Sequence, residues 1–515
     1  MAVLAAVSAR AETWTWANTT ATNTWSTTGN WTEALGLGTA TGSPPGTAGN
    51  TYTGVRLNIN GNVDYTATQG TQTYDVFASG GEIRGLVVGA TDINSSKTFT
   101  VSGSGANLIF VPDTATPASV LVGVGVGINY AGQASLVVNN GATLKVQTSL
   151  GVISGDLVIL GRGLATATGT LTVGGTGTGT LVSSDTVTFG ALTAPTAGAT
   201  GTININSGGT LQTRKISAAA NANNSSYATV NFNGGTLKSA DTDNSEILLS
   251  GANSLAVKLL AGGGTIDTNG QTGQSITAVI SGTAGGSFTK TGAGTLTLTA
   301  ANTYNGTTLV TGGTLALGAS GSISNSALIQ VSSGATFDVS AQSYTLGAAK
   351  TLRGAGAVTG AVTMAGSSTI AGGVDAGTLG TLTFSGSLTS ASGATFSLKL
   401  NSDSSLSDAI VASGLALNGA TLSLTDLGST TLSGPTTFTL FHSTSSSVTG
   451  TFAGLAEGAS IIVGANTYTI SYAANGGTDI TLTASAIPEP ATCAAVIGAL
   501  TLLGAASRRR RPLLA

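Results

Sequence analysis

Apolar residues in this chain recur in pairs separated by one residue, and a glycine-led turn precedes most of the pairs. The plainest copy is Gly312-Gly313-Thr314-Leu315-Ala316-Leu317. The phrase returns at Gly141-Ala142-Thr143-Leu144-Lys145-Val146, Gly208-Gly209-Thr210-Leu211, Gly234-Gly235-Thr236-Leu237 and Gly263-Gly264-Thr265-Ile266. Later copies begin at Gly294, Gly334, Gly393 and Gly419. A period of two puts Leu144 and Val146 on one side of a strand, with Thr143 and Lys145 on the other. The same alternation holds for Leu171 and Val173, Leu296 and Leu298, and Leu422 and Leu424. A strand this short cannot bury its face alone. Copies spaced by roughly 20 to 30 residues fit a solenoid, in which each coil stacks on the last at about 4.8 Å. The pattern therefore predicts an all-β chain built as a right-handed parallel β-helix, with glycine at the corners. An array of β-sandwich modules is the competing architecture, but it requires linkers and module boundaries that the sequence does not display.

The phrase dominates residues 135–428. Residues 12–134 read as a Trp-rich N-terminal β cap and first strands. All four tryptophans, Trp14, Trp16, Trp25 and Trp31, lie there, either as a hydrophobic cap or as an aromatic platform for sugar. Residues 429–486 carry longer, more aromatic strands around Phe438, Phe441, Tyr468 and Tyr472, which suggest hairpins closing the C-terminal end. Asn302, Asn305 and Asn325 fall at expected corners, where a side-chain amide serves a turn.

Composition narrows the chemistry. Charged residues make up 8% of the 515 residues and net charge is −3, against about 25% charged in ordinary domains. With 41% hydrophobic residues the chain is still no candidate for disorder. No basic face exists to neutralise phosphates, so nucleic acid is not an expected partner. A single cysteine, Cys493, and a single histidine, His442, leave no material for a disulfide, a thiolate cluster or an imidazole metal site. The densest acidic run, Asp241, Asp243 and Glu246, lacks the EF-hand spacing and reads as a solvated loop. Asp338, Asp403, Asp408 and Asp426 are scattered. No catalytic residue, metal or cofactor is expected, and the chain is read as non-enzymatic. The alternative is a polysaccharide-degrading lyase or hydrolase on a β-helix, which needs several acids and a basic partner in one groove.

The ends carry targeting signals. Residues 1–11 are apolar and end in Ser8-Ala9-Arg10-Ala11, a fit to the remnant of a signal peptide cut after Ala11, with the true start expected upstream. At the other end, Pro488-Glu489-Pro490 breaks the chain, residues 491–507 form an uncharged apolar stretch, and Arg508, Arg509, Arg510 and Arg511 follow. That stretch predicts a C-terminal transmembrane helix with the arginines as a cytoplasmic stop and the body outside.

Two resemblances follow from these motifs. Residues 487–515, with motif, apolar helix and basic run in that order, resemble the PEP-CTERM sorting signal of Gram-negative bacteria. The resemblance implies that an exosortase-type enzyme processes the chain near Pro488, Glu489 and Pro490, which are then substrate. Phe288-Thr289-Lys290-Thr291-Gly292-Ala293-Gly294-Thr295-Leu296-Thr297-Leu298, with Asn302-Thr303-Tyr304-Asn305-Gly306 and Gly312-Gly313-Thr314-Leu315, resembles the autotransporter-associated β-strand repeat. That family implies a surface or matrix protein. In autotransporters a membrane β-barrel follows the passenger. Here only the sorting tail follows Thr483, so self-export is not expected. The combined expectation is an exported structural or adhesive protein of the envelope or extracellular space. Its expected partners are the membrane, extracellular polysaccharide or neighbouring surface proteins.

Overall fold

The computed structural model describes side chains over residues 255–283 and 285–484, and in patches from residue 86 to 250. Between residues 12 and 85 it describes strands by backbone alone, and residues 1–11 and 485–515 lie outside the described residues. The chain divides into two compact units. One comprises Met1–Tyr344, Lys350–Leu352 and Gly356–Gly360, and the other Thr345–Ala349, Arg353–Ala355 and Ala361–Ala515. The repeat phrase gives no sign of this division, because it continues on both sides.

In the first unit the chain winds through three strands per coil, and each strand pairs in parallel with its equivalents in the coils before and after. One such ladder runs through Lys97–Ser102, Gln133–Asn139, Thr168–Val173, Thr200–Asn206, Ala228–Asn233 and Leu255–Leu259. A second runs through Asn107–Pro112, Ala142–Val146, Gly179–Ser183, Gly209–Thr213, Thr236–Ser239 and Gly264–Asp267. A third runs through Val124–Ile128, Asp156–Arg162, Thr186–Phe189 and Lys215–Ala218. This is a parallel β-helix. Sandwich modules would pair their strands antiparallel.

Register makes the core. Phe99, Leu136, Leu171, Ile203, Val230 and Val257 are successive register partners, each essentially without solvent exposure. Leu108, Leu144, Leu181, Leu211, Leu237 and Ile266 form a second buried column. Each such side chain contributes about 1.5–3 kcal/mol by leaving water, a gain that exists only because a coil lies above and below.

The double glycine of the phrase has a steric cause. Gly208 adopts φ 74°, and a Cβ on Gly209 would lie 2.1 Å from the Val173 carbonyl oxygen of the preceding coil. Bare backbone at this corner lets the coils reach sheet spacing. Gly209→Ala is expected to lower stability by about 1–3 kcal/mol through forced backbone displacement, read as a lower denaturant midpoint, whereas Thr210→Ser changes it little.

At the N-terminus Glu12–Trp16 pairs antiparallel with Trp31–Glu33 and parallel with Val55–Ile59. Trp14, Trp16 and Trp31 lie in these strands, but their side chains, and all of Trp25, lie outside the described residues, so the choice between cap and platform falls there too.

The second unit repeats the plan, with register partners 26 or 27 residues apart in its first two ladders. Val362–Met364, Ser387–Ser390 and Gly414–Ala416 form one parallel ladder, and Thr369–Gly372, Thr395–Asn401 and Thr421–Asp426 another. Leu422 and Leu424, expected inside, are only half-buried. Their strand pairs with Thr395–Asn401 alone and ends that ladder, so no following coil covers them. A third ladder, Thr381–Phe384, Ala409–Ala412 and Thr437–Ser443, then turns antiparallel through Asp479–Ala484, Asn466–Ala474 and Ser460–Val463. Beneath these hairpins Phe396, Phe441 and Phe452 pack with ring centroids 5.2 to 5.9 Å apart, and Phe438 meets Tyr468 edge-on. The apparent sorting signal, residues 487–515, lies outside the described residues. Among the described residues no helix is long and apolar enough to cross a membrane.

Candidate functional site in the coil transition

The most distinctive local chemistry of the first unit sits where the coil shortens. Register partners lie 32 residues apart at Thr168 and Thr200, 27 apart at Asn204 and Asn231, and 20 apart at Lys290 and Val310. The shortening comes from loss of one strand per coil. The first ladder ends at Ile280–Gly282, and beyond it Phe288–Thr291, Thr295–Leu298, Thr308–Val310 and Thr314–Leu317 alternate between two ladders. The phrase changes ladder at this point. Copies at Gly208 and Gly234 feed the second ladder, whereas those at Gly294 and Gly312 feed the third.

Asn302 and Tyr304 replace the missing strand. Asn302 Oδ1 accepts the Ile280 N–H at 2.9 Å, and Asn302 Nδ2 donates to the carbonyls of Ala300 at 3.0 Å and Ser322 at 3.1 Å. One amide thus caps the last strand of the ladder and ties three coils, as the sequence expectation for a corner asparagine requires. Asn325 Nδ2 donates to Thr303 O at 3.4 Å, a weaker version of the same device. Tyr304 is fully buried, 5.8 Å from the Phe288 ring, and its hydroxyl lies 2.8 Å from Thr308 Oγ1. Thr308 Oγ1 donates to Ser326 Oγ at 2.9 Å, and Ser326 Oγ reaches the Gly306 carbonyl at 2.9 Å. A buried hydroxyl relay of this kind is stable only when every member is satisfied. Burial pushes the Tyr304 phenol well above its ordinary 10, so its stabilising contribution is complete below pH 10 and is lost as pH rises beyond it.

Lys290 occupies the inward position that Ile266 holds one coil earlier. The residue has no solvent exposure, and its Nζ donates to the carbonyls of Thr291 at 2.8 Å, Gly292 at 2.9 Å and Gly312 at 3.0 Å. The lysine fastens one glycine turn to the next. Burial lowers its pKa from 10.5 to about 8, against the opposing pull of Asp267. Between those two values the unfolded chain holds a proton that the folded chain has released, so stability rises with pH across that window. Lys290→Met is expected to abolish this rise and, by leaving three carbonyls without a donor, to lower stability by about 1–3 kcal/mol. Denaturant melts across the window measure both effects.

The scattered acids serve loops. Asp338 Oδ1 accepts the Ser340 N–H at 2.9 Å. In the second unit Asp403 accepts from Ser429 and Thr430, and Asp426 accepts from Ser402 and Gly428. These two acids therefore lie in neighbouring loops. The Thr430 hydroxyl is the main cause that holds the Asp403 carboxyl below its usual range. Asp408 is fully buried, with Oδ2 2.9 Å from Lys399 Nζ and its oxygens accepting the main-chain N–H groups of Gly380 and Lys399. His442 Nδ1 lies 2.6 Å from Asp479 Oδ1, its register partner across an antiparallel pair. Among the described residues no group of three or more His, Cys, Asp or Glu converges to hold a metal. Asp241, Asp243, Glu246, Cys493, Pro488, Glu489, Pro490 and Arg508 to Arg511 lie outside the described residues.

The Lys399–Asp408 and His442–Asp479 pairs escape sequence reasoning, since their members are distant in sequence or sit where alternation points outward. Lys290 was legible in principle. Alternation from Phe288 places it inside.

Residues 288–317, which contain Lys290, Asn302 and Tyr304, match the family model described as Passenger-associated-transport-repeat. Among solved structures the Hap adhesin of Haemophilus influenzae aligns at 12% identity and a TM-score of 0.25, over 84% of this chain and 63% of that one. This chain therefore spans less than two thirds of that protein's length. No curated protein matches.

Proposed function

We propose that this chain is an exported, surface-exposed solenoid with a structural or adhesive role, not an enzyme. The observation that carries the reading is the match of residues 288–317 to a repeat described for transported passengers, at the place where Asn302 and Lys290 knit successive coils. A stack of this kind offers long ranks of hydroxyl and amide groups and few charges, which favours many weak contacts over one tight site. In the finer reading, residues 487–515 are a sorting tail. An exosortase-type enzyme acts near Pro488, Glu489 and Pro490, residues 491–507 hold the membrane, and Arg508 to Arg511 stay on the cytoplasmic side. Extracellular polysaccharide or neighbouring surface proteins are the partners of the body. Mass spectrometry of the C-terminal peptide, on protein recovered from envelope and medium, tests the tail. Chains ending near Pro488 to Ala491 support sorting, whereas chains that all retain Arg508 to Arg511 support a plain anchor. Protease treatment of intact cells tests the coarser claim, which requires the body to be cleaved from outside.

A further inference from the structure

We propose that one face of the first unit docks an extended, neutral polysaccharide, an inference that rests on the surface-exposed reading above and names its ligand. The face is the outer side of the ladder through Thr168–Val173, Thr200–Asn206 and Ala228–Asn233. Alternation in these strands sends Leu171, Ile203 and Val230 inward, where they are fully buried. Their neighbours face out in two files. Thr170, Thr202 and Thr229 are register partners, as are Thr172, Asn204 and Asn231, and all six are half-buried. Each file repeats about every 4.8 Å across the strands, and the two files stand about 6.6 Å apart along them.

The second file is ordered by its own hydrogen bonds. Asn231 Nδ2 donates to Asn204 Oδ1 at 2.9 Å, and Asn204 Nδ2 donates to Thr172 Oγ1 at 3.4 Å. Beside the files, Thr168 and Thr200 hydroxyls meet at 3.2 Å. Donation runs in one direction along the file, and Thr172, having accepted, keeps a hydroxyl proton to give. The side chains are therefore held in place before a ligand arrives, which reduces the entropy lost on binding.

Charge selects the ligand class. The three strands, TGTLTV, TGTININ and ATVNFN, contain no charged residue, and the second file continues into Val137 on the coil before and Lys258 on the coil after, with Asp64 two coils beyond Val137. An anionic polymer would find no rank of cations. A protein partner would find no aromatic or apolar anchor of the kind that dominates protein interfaces. A neutral chain of hydroxyls meets donors and acceptors at a constant repeat. Single contacts are weak, and repetition supplies the affinity.

The test uses the full chain and co-sedimentation with microcrystalline cellulose, linear β-1,3-glucan and dextran gels, with alginate gel as the anionic comparison. The expected result is retention on at least one neutral polymer, insensitive to salt because no ion pairs are involved. Thr202→Lys/Asn204→Lys places two cations in the array and should reduce retention about tenfold or more. Thr170→Ala/Thr202→Ala/Thr229→Ala removes the hydroxyls on an unchanged backbone and should reduce it similarly, so a folding failure in the first variant does not decide the matter. Retention only on alginate, on no polymer, or undiminished in the folded variants overturns the inference. Protease treatment of intact cells is scored in parallel. A displayed body with unaltered retention refutes this face alone, whereas a body inaccessible from outside refutes the surface reading beneath it.

Discussion

Asp408→Ala lowers the stability of the second unit by about 3–5 kcal/mol, the loss expected when one partner of a buried ion pair is removed. Asp408 has no exposure and Lys399 retains 10% side-chain exposure, with 2.9 Å between Nζ and Oδ2. Without the carboxylate, the lysine charge keeps the Gly372 carbonyl as an acceptor and Asp375 as a weaker countercharge, and the N–H groups of Gly380 and Lys399 lose their acceptor. Asp408→Asn is expected to fall between wild type and alanine, because the amide oxygen still accepts one of those bonds. Replacing both partners together, as Lys399→Met/Asp408→Leu, should recover most of the loss, since an apolar pair leaves no unpaired charge. Chemical denaturation followed by the second unit's tyrosines measures all three. A loss under about 1 kcal/mol for Asp408→Ala would place the pair in the weak class of exposed ion pairs.

Phe288→Ala has an effect of comparable size in the first unit, about 3–5 kcal/mol. Phe288 is 1% exposed and lies 5.8 Å from the Tyr304 ring. It opens the first two-strand coil, and the register pair Gly264–Phe288 joins that coil to the last coil entering from above. Truncation leaves a cavity against Tyr304, whose hydroxyl is fixed by Thr308 and cannot move to fill it. Phe288→Leu, which retains most of the volume, is expected to cost under about 1.5 kcal/mol. Equal losses for the two variants would mean that the site is not close-packed.

Much of this fold is legible because a period of two has a direct physical meaning. Leu144 and Val146 are buried while Thr143 and Lys145 are half-exposed, and the same holds at Leu171, Val173, Leu296 and Leu298. Asn302 was also legible as a corner amide. What alternation cannot convey is the number of strands in a coil. The same glycine phrase feeds one ladder at Gly208 and another at Gly312, because it encodes a turn followed by a strand, and the face depends on how many turns precede it. Pairing between distant polar residues is hidden for a different reason. Lys399 lies between Leu398 and Leu400, where alternation points it outward, yet all three are buried, because Gly372 and Gly373 pass over the lysine. Leu422 and Leu424 err the other way. Their pattern is that of an interior strand, but they stand at the end of a ladder. The candidate docking face was visible only as a Thr- and Asn-rich composition. Its register, which aligns Asn204 with Asn231 and Thr172, required the stack.

The central claim is that successive coils stack in the stated register, and a disulfide reports it most directly. In a Cys493→Ser background, Thr202→Cys/Thr229→Cys places two thiols on register partners about 4.8 Å apart, within the Cα separation a disulfide tolerates. Thr200→Cys/Thr229→Cys offsets one of them by two residues and takes the pair out of reach. After mild oxidation and digestion, mass spectrometry should find the peptide containing residue 202 joined to that containing residue 229, and no bond in the offset variant. Absence of the first bond, or equal yield of both, would contradict the stacked parallel β-helix on which the account depends.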